Sequence, residues 1–334
     1  MRLMGATSAG AAGAIKPAAP TDLRIAQMNM WNLFDTVNDP KTGDDDSTPT
    51  PEQYKIKLEK IAKAIVALGL PDVISANEIE NDTVIADLLA QPELKNAGYK
   101  FITQEANNDE RGIRVGVIYK GDRLEAGTVA APNPKFSFPD GGRGQIDRTL
   151  LYARPPLVVD FTLRGAAQAS EGAAMVTIAV NHFKSKRGGD GPEMRRQMQG
   201  QYLGEWLDAR RATRPDVPVV VVGDLNATYD DGAYQKLEKR ADGTTRFEDA
   251  AKRIKAEDRY TYIYRGQKDM LDHVMVDAAR TDAISGAQIY HINTAKDARK
   301  SQWDPSVIAG YSDHDSMIVD LDIKKLTAPK APKA

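Results

Sequence analysis

The chain has 334 residues, 41% of them hydrophobic, and its 45 basic and 47 acidic side chains leave a net charge of −2 and a pI near 6.2. That length exceeds the usual ~100–150 residues of one domain but suits a two-sheet sandwich, and the balanced charge excludes a global basic field that would draw the protein onto polyanions. The lack of cysteine excludes disulfides, thiolate zinc sites and a cysteine nucleophile, and no apolar run approaches the ~20 residues that span a bilayer.

Residues 1–21, mostly Ala, Gly and Ser, read as a low-complexity leader without the apolar core of a signal peptide. An apolar strand beginning at Leu23 ends in Met28-Asn29-Met30-Trp31-Asn32. Asp44-Asp45-Asp46 lacks the spacing of a calcium loop and reads as a flexible acidic segment. Thr50-Pro51-Glu52-Gln53 supplies an N-cap, a first-turn proline and a capping-box glutamine. Tyr54, Leu58, Ile61, Ile65 and Leu68 then follow at helical spacing, and Gly69 ends the helix. A strand over 72–78 ends in Glu78, and strands are expected at 115–119 and 157–161. Val176 to Val180 runs into Asn181-His182 and then Lys184, Lys186 and Arg187. A helix over about 192–212 is expected to bury Met194, Met198, Tyr202 and Trp206. Val219 to Val222 ends in Gly223-Asp224-Leu225-Asn226, and strands at 260–264 and 271–276 follow, the latter carrying Asp272-His273. Last come Ser312-Asp313-His314-Asp315, leading straight into the strand Ser316 to Leu321, and a lysine-rich end over 324–334 that reads as a disordered tail.

Successive side chains of a strand point to opposite faces, so a polar cluster at its mouth aims an imidazole or carboxylate at one spot while the strand anchors it. Five strand ends here present Asn, Glu, His, Asp/Asn and Asp-His in order. Polar groups gathered at one sheet edge suit a hard divalent cation and an oxyanion. In order, MNMWN, ANE, VNHFKSK, GDLNA, LDHVMVD and SDHD resemble the endonuclease/exonuclease/phosphatase family of metal-dependent phosphodiesterases, over roughly residues 22–323; the NHFKSK segment is most similar to its extracellular nucleases.

The resemblance implies an α/β fold in which two packed mixed β-sheets are flanked by helices, a four-layer sandwich. It implies a Mg²⁺ or Mn²⁺ cofactor, with Ca²⁺ as another option, held mainly by Glu78 with Asn29 and Asp313. Asp224 and Asn226, two apart, are expected to face one pocket and orient the attacking water and a phosphate oxygen. Asp272 matches the acid that fixes the tautomer of His314. His182 is similar to the second catalytic histidine, placed to hydrogen-bond the scissile phosphate or exchange a proton with it. The strand that supplies its acidic partner in the DNase I-like members reads here as Gly112 to Val117, without a carboxylate. Asn32, Arg154, Lys184 and Lys186 are the expected substrate contacts, and His273 and His291 are read as structural or surface residues.

The resulting expectation is a monomeric nuclease of low sequence specificity acting on nucleic acid, DNA ahead of RNA, without a stable protein partner or membrane span. Two other readings stay open: the same chemistry on lipid head groups or other small phosphoesters, and a catalytically inactive binding module. The subset resemblance implies a secreted or periplasmic protein and leaves a cytoplasmic one open.

Overall fold

The computed structural model describes residues 14–39, 48–104, 109–136, 150–165, 174–186 and 190–328. The acidic segment 44–46 and Arg187 lie outside them. In chain order the elements are β1 (Asp22–Leu33), α1 (Pro51–Ala67), β2 (Val73–Ile79), α2 (Asp82–Leu89), β3 (Tyr99–Thr103), β4 (Arg114–Lys120), β5 (Leu124–Ala130), β6 (Leu157–Leu163) and β7 (Met175–His182). Then come α3 (Asp190–Thr213), β8 (Val219–Asp224), α4 (Gly232–Glu238), β9 (Phe247–Asp249), β10 (Tyr262–Tyr264), β11 (Gln267–Asp269), β12 (Asp272–Asp277), β13 (Ile284–Tyr290), β14 (Ser316–Asp322) and α5 (Ile323–Leu326).

Two six-stranded sheets form, in the orders β13-β14-β1-β2-β4-β3 and β5-β6-β7-β8-β12-β9. Each is antiparallel except for one central parallel pair, β1 with β2 and β7 with β8. Alternation along the strands divides the core into three layers. Leu23, Ile25, Val73, Val159, Ile178, Val220 and Val274 fill the space between the sheets. Ala26, Met28, Ile74 and Ala76 face outward onto α1 and α2, while Val158, Ala179, Val221 and Met275 face α3 and α4. Strands buried on both faces lose the polar–apolar alternation of a surface sheet, which is why they read as continuous apolar runs.

The caps that start α1 form as its sequence dictates: Thr50 Oγ1 accepts from the Gln53 amide at 3.2 Å and Gln53 Oε1 accepts from the Thr50 amide at 2.9 Å. Helix α3 differs from expectation on its buried face. Met194 is 45% exposed, and the face turned inward carries Arg195, Gln199, Leu203 and Leu207, with Met198, Tyr202 and Trp206 only partly covered. The first turns of α3 run beside the cleft, where long polar side chains reach backbone carbonyls: Arg195 Nε donates to Leu151 O at 2.8 Å.

Both ends of the packed chain extend further than their composition suggests. Ile15 packs on the α1 layer and its amide donates to Ala67 O at 2.7 Å. At the other end α5 folds back so that Leu326 is buried between the sheets, in place of a tail starting at 324. The strand expected over 260–264 shortens to β10, which pairs with β11 as a separate hairpin outside both sheets. Strands β3, β5, β9 and β13 complete the sheets, although no chemical motif marks them in the sequence.

Candidate active site

Two bulges at the adjoining ends of β1 and β2 shape one side of the site. In β2, Val73 faces the other sheet and Ile74 and Ala76 face the helices, yet Ile79 also faces the helices. Glu78 is therefore an inserted residue: the ladders on both sides of β2 shift register between Asn77 and Ile79, and Glu78 takes φ +60°. In β1, Trp31 and Asn32 take φ +46° and +53°, with the same register shift before Leu33. Each left-handed non-glycine residue costs ~1–3 kcal/mol and persists only where its surroundings impose it. Here the Asn32 amide donates to Glu78 Oε2 at 3.1 Å and the Trp31 amide to Asn29 Oδ1 at 2.8 Å. The strain turns the Glu78 carboxylate out of the sheet and into a cleft of about 650 Å³.

That cleft is lined by ten of the twelve expected site residues: Asn32, Glu78, Arg154, His182, Lys184, Lys186, Asp224, Asn226, Asp313 and His314. Asn29 and Asp272 stand directly behind them. Asn29 Nδ2 donates to Asp224 Oδ2 at 3.4 Å, and Asp272 Oδ2 lies 2.7 Å from His314 Nδ1. Asp224 ends β8, but Asn226 lies beyond the strand with φ +48°, so a turn, and not strand alternation, brings the two into one pocket. The Asn226 amide donates to Asp224 Oδ1 at 2.8 Å.

The candidate catalytic groups meet across the joint between the sheets. His314 precedes β14 of the first sheet and Asp272 begins β12 of the second. Gln27 of the first sheet donates both to Asn77 Oδ1 at 2.6 Å and to Asp272 Oδ1 at 3.0 Å, and Asn77 Oδ1 also accepts the Asp224 amide at 3.0 Å. Thr261 Oγ1 donates to Asp272 Oδ2 at 2.7 Å. His182 Nε2 lies 3.7 Å from Asp224 Oδ2 and 3.9 Å from Glu78 Oε1.

Burial disfavours a charged His314, but the Asp272 carboxylate and its hydrogen bond overcome that and raise the imidazole well above its ordinary pKa. Asp272 is likewise buried, and the same pairing nevertheless holds it below the ordinary carboxylate value. For Asp224, burial, then repulsion from Asp272, outweigh the attraction of His314 and push its carboxyl up to about 7. Burial, followed by Arg154, Arg111, His314 and Lys184, drives His182 well below its ordinary pKa. Its Nδ1 is buried without a hydrogen-bond partner among the described residues, none of which offers an acid to orient this ring through that nitrogen.

The cations are held to different degrees. Arg154 is buried, ion-paired to Asp109 and donating to Phe183 O at 2.9 Å, which makes it a brace of the cleft wall. Lys184 is half-buried and its ammonium weakened by burial and by Arg154. Lys186 is exposed and bonds Asp231 at 2.9 Å. Sequence reading missed Arg111, whose guanidinium lies 3.7 Å from Glu78 Oε1 and donates to Asn32 Oδ1 at 3.2 Å; it comes from an irregular segment with no strand to mark it. It also missed Lys57 of α1, buried under the site, whose ammonium donates to Tyr311 O at 2.6 Å and Trp31 O at 3.2 Å. Burial lowers that lysine to about 7, against the pull of Asp313 and Glu78. His273 is structural as expected, buried between Asp249 at 2.6 Å and Ala227 O at 2.8 Å. His291 pairs with Asp315 at 2.8 Å and stacks on Tyr260.

Two carboxylate settings fit a hard cation. Glu78 and Asp313 offer oxygens at the mouth of the cleft with Asn29 behind, and Asp224, Asp272 and His314 place one donor atom each within 4.8 Å of one another. The second group is buried and already shares the Asp272–His314 hydrogen bond, so a cation there would have to displace it. Glu78, strained into position, is the better-suited ligand.

Comparison with known proteins follows the same lines. A family model described as "Endonuclease/Exonuclease/phosphatase family" matches residues 24–299. Among solved structures, an endonuclease/exonuclease/phosphatase from Bacteroides vulgatus superposes with a TM-score of 0.60 at 17% identity, covering 90% of this chain and 98% of that one. The human Nocturnin catalytic domain with bound sulfate gives 0.55 at 16%, covering 90% and 94%. Truncated Caenorhabditis elegans TDP2 gives 0.56 at 12%, covering 90% and 98%. No curated protein sequence matches the chain. At these identities the structures establish the shared fold, the family model spans most of the chain, and together with the cleft at the joint of two mixed sheets they show that this chain belongs to the endonuclease/exonuclease/phosphatase family of phosphoester hydrolases.

Proposed function

We propose that this chain is a divalent-metal-dependent nuclease that hydrolyses the phosphodiester bonds of nucleic acid by in-line attack of water, with little sequence specificity. The observation that carries this reading is the division of charge among buried groups at one spot. The Asp272–His314 pair is held ionised at 2.7 Å, while Asp224 beside it is poised at about 7. A carboxylate with that affinity for protons suits the task of taking one from the attacking water at neutral pH. Asn226 lines the same pocket and orients that water or a phosphate oxygen. The His314 imidazolium balances the negative charge that grows on the phosphoryl oxygens, and neutral His182 offers them a hydrogen bond. Glu78, Asn29 and Asp313 would hold the cation, which when bound neutralises phosphate charge and stabilises the departing oxygen.

The cations of the lining support a polyanionic substrate. Arg111, Arg154, Lys184 and Lys186 share the cleft with the acidic groups that would hold the metal, and they are placed to meet backbone phosphates on either side of it. The deciding experiment incubates purified protein with Mg²⁺, Mn²⁺, Ca²⁺ or EDTA against plasmid DNA, RNA, lipid phosphodiesters and phosphomonoesters. DNA and RNA should be degraded with Mg²⁺ or Mn²⁺ and spared in EDTA. Glu78→Ala should lose several kcal/mol of transition-state stabilisation, roughly 10³-fold in rate. Turnover of lipid diesters with nucleic acids left intact would overturn the substrate, and full activity in EDTA would overturn the metal.

A further inference from the structure

The β10–β11 hairpin belongs to neither sheet, yet Tyr262, Tyr264 and Asp269 line the cleft. Tyr262 is fixed against the catalytic dyad: its ring centroid is 4.7 Å from that of His314, and the Arg299 guanidinium lies over the same ring, 5.1 Å from its centre. Tyr264 follows two residues on, so it projects from the same side of the strand. It is 50% exposed and belongs to none of the apolar clusters among the described residues. A large aromatic ring left open on the wall of a charged cleft adds nothing to the core.

The turn beyond it points the same way. Tyr264 pairs with Gln267 across a two-residue turn in which Arg265 and Gly266 both have positive φ, +48° and +83°. Asn, Asp or Gly is the usual first residue of such a turn, because a longer side chain is strained there. Here an arginine occupies it, with its guanidinium 5.2 Å from the Tyr264 ring centre. The hairpin tip thus holds a cation over one face of a half-exposed aromatic ring and leaves the rest of that ring open, beside the groups that act on the phosphate.

We propose that Tyr264, supported by Arg265, is a stacking platform for an unpaired nucleobase next to the scissile phosphate, so that the enzyme prefers single-stranded nucleic acid. This deepens the nucleic-acid reading above and rests on it. Every nucleobase has a face that stacks on an aromatic ring regardless of its identity, in keeping with low sequence specificity. In a duplex both faces of each base are already taken by its neighbours. A lipid head group or a phosphomonoester without a planar ring would gain nothing from Tyr264.

The test compares two short single strands with the same number of phosphates, one bearing bases and one made of abasic tetrahydrofuran units, with the duplex of the first as a third substrate. The wild type should cleave the base-bearing strand roughly tenfold better than the abasic strand or the duplex, chiefly through KM. Tyr264→Ala should erase that preference, and Tyr264→Phe, which keeps the ring, should retain it. A wild type without the preference, or a Tyr264→Ala variant that keeps it, overturns the proposal. If the wild type cleaves neither strand yet hydrolyses a lipid phosphodiester, the nucleic-acid reading itself fails and this platform fails with it.

Discussion

Burial and the surrounding cations keep the His182 imidazole neutral near pH 7, whereas Asp272 keeps that of His314 charged. A neutral histidine without an acid on Nδ1 is poorly placed to protonate a leaving alkoxide but can still hydrogen-bond a phosphoryl oxygen. His182→Asn should therefore slow DNA and bis(p-nitrophenyl) phosphate hydrolysis alike, by ~10²-fold, the cost of losing one positioned donor. A much larger loss on DNA, whose leaving group needs a proton, would identify His182 as the acid instead. Asp224 presents the opposite case, a group whose charge is costly to the fold. Its folded value of about 7 lies above the ordinary 3.8, so between those limits the folded chain holds a proton that the unfolded chain has released. Stability from this group is thus lost as pH rises, and above about pH 7 the full penalty applies, with a ceiling of ~4 kcal/mol. Asp224→Asn should abolish hydrolysis yet stabilise the metal-free protein at pH 8, by ~1–4 kcal/mol, and distinctly less at pH 5. Urea denaturation in EDTA at the two pH values reads this directly; an equal gain at both would refute it.

Among the elements, α3 couples the second sheet to the cleft. Gly200 packs so tightly on α4 that a Cβ built there falls on the Ala233 carbonyl oxygen. Replacing a helix-interior glycine by alanine ordinarily gains ~1 kcal/mol, but here backbone must move and the sign reverses. Gly200→Ala should cost ~1–3 kcal/mol in thermal or urea unfolding, and it should also reduce activity, because neighbouring Gln199 accepts the Lys184 amide at 3.0 Å. An unchanged stability would mean that α4 is free to shift. The elements also show what local pattern conveys and what it omits. The Thr50–Gln53 capping box is legible because all of its partners lie within four residues, and the His182, Asp224 and His314 strand ends because apolar runs announce them. The bulge at Glu78 is not legible, since a single inserted residue leaves the apolar run unbroken while reversing its parity. Lys57 flanks the apolar stripe of α1, where a lysine ordinarily reaches solvent; its burial follows from the bulged end of β1 at Trp31 and the loop at Tyr311, which close over it from distant parts of the chain. The Asp272–His314 contact was legible only through the family resemblance, because the two residues stand 42 positions apart.

For the whole molecule, the site is a property of how the two sheets meet. The first contributes Asn29, Glu78, Asp313 and His314, the second His182, Asp224, Asn226 and Asp272, and the cationic wall stands at the rim of the joint. If that wall attracts backbone phosphates, Lys184→Ala combined with Lys186→Ala should reduce the slope of log K against log salt by about 1–2, with weaker binding to all sequences alike. Fluorescence anisotropy over a salt series measures it, and an unchanged slope would return both lysines to the role of solvated surface groups. The contact between the sheets also carries a reporter of its own motion. Most amide protons at the ends of these strands are held by neighbouring strands and exchange with solvent when an edge frays. The Asp224 proton is instead given across the interior to the Asn77 side chain, 3.0 Å away in the opposite sheet. Its hydrogen-exchange rate should therefore track separation of the sheets, slowing when a divalent ion or substrate clamps the joint and rising in Asn77→Ala before the rest of β8 loses protection.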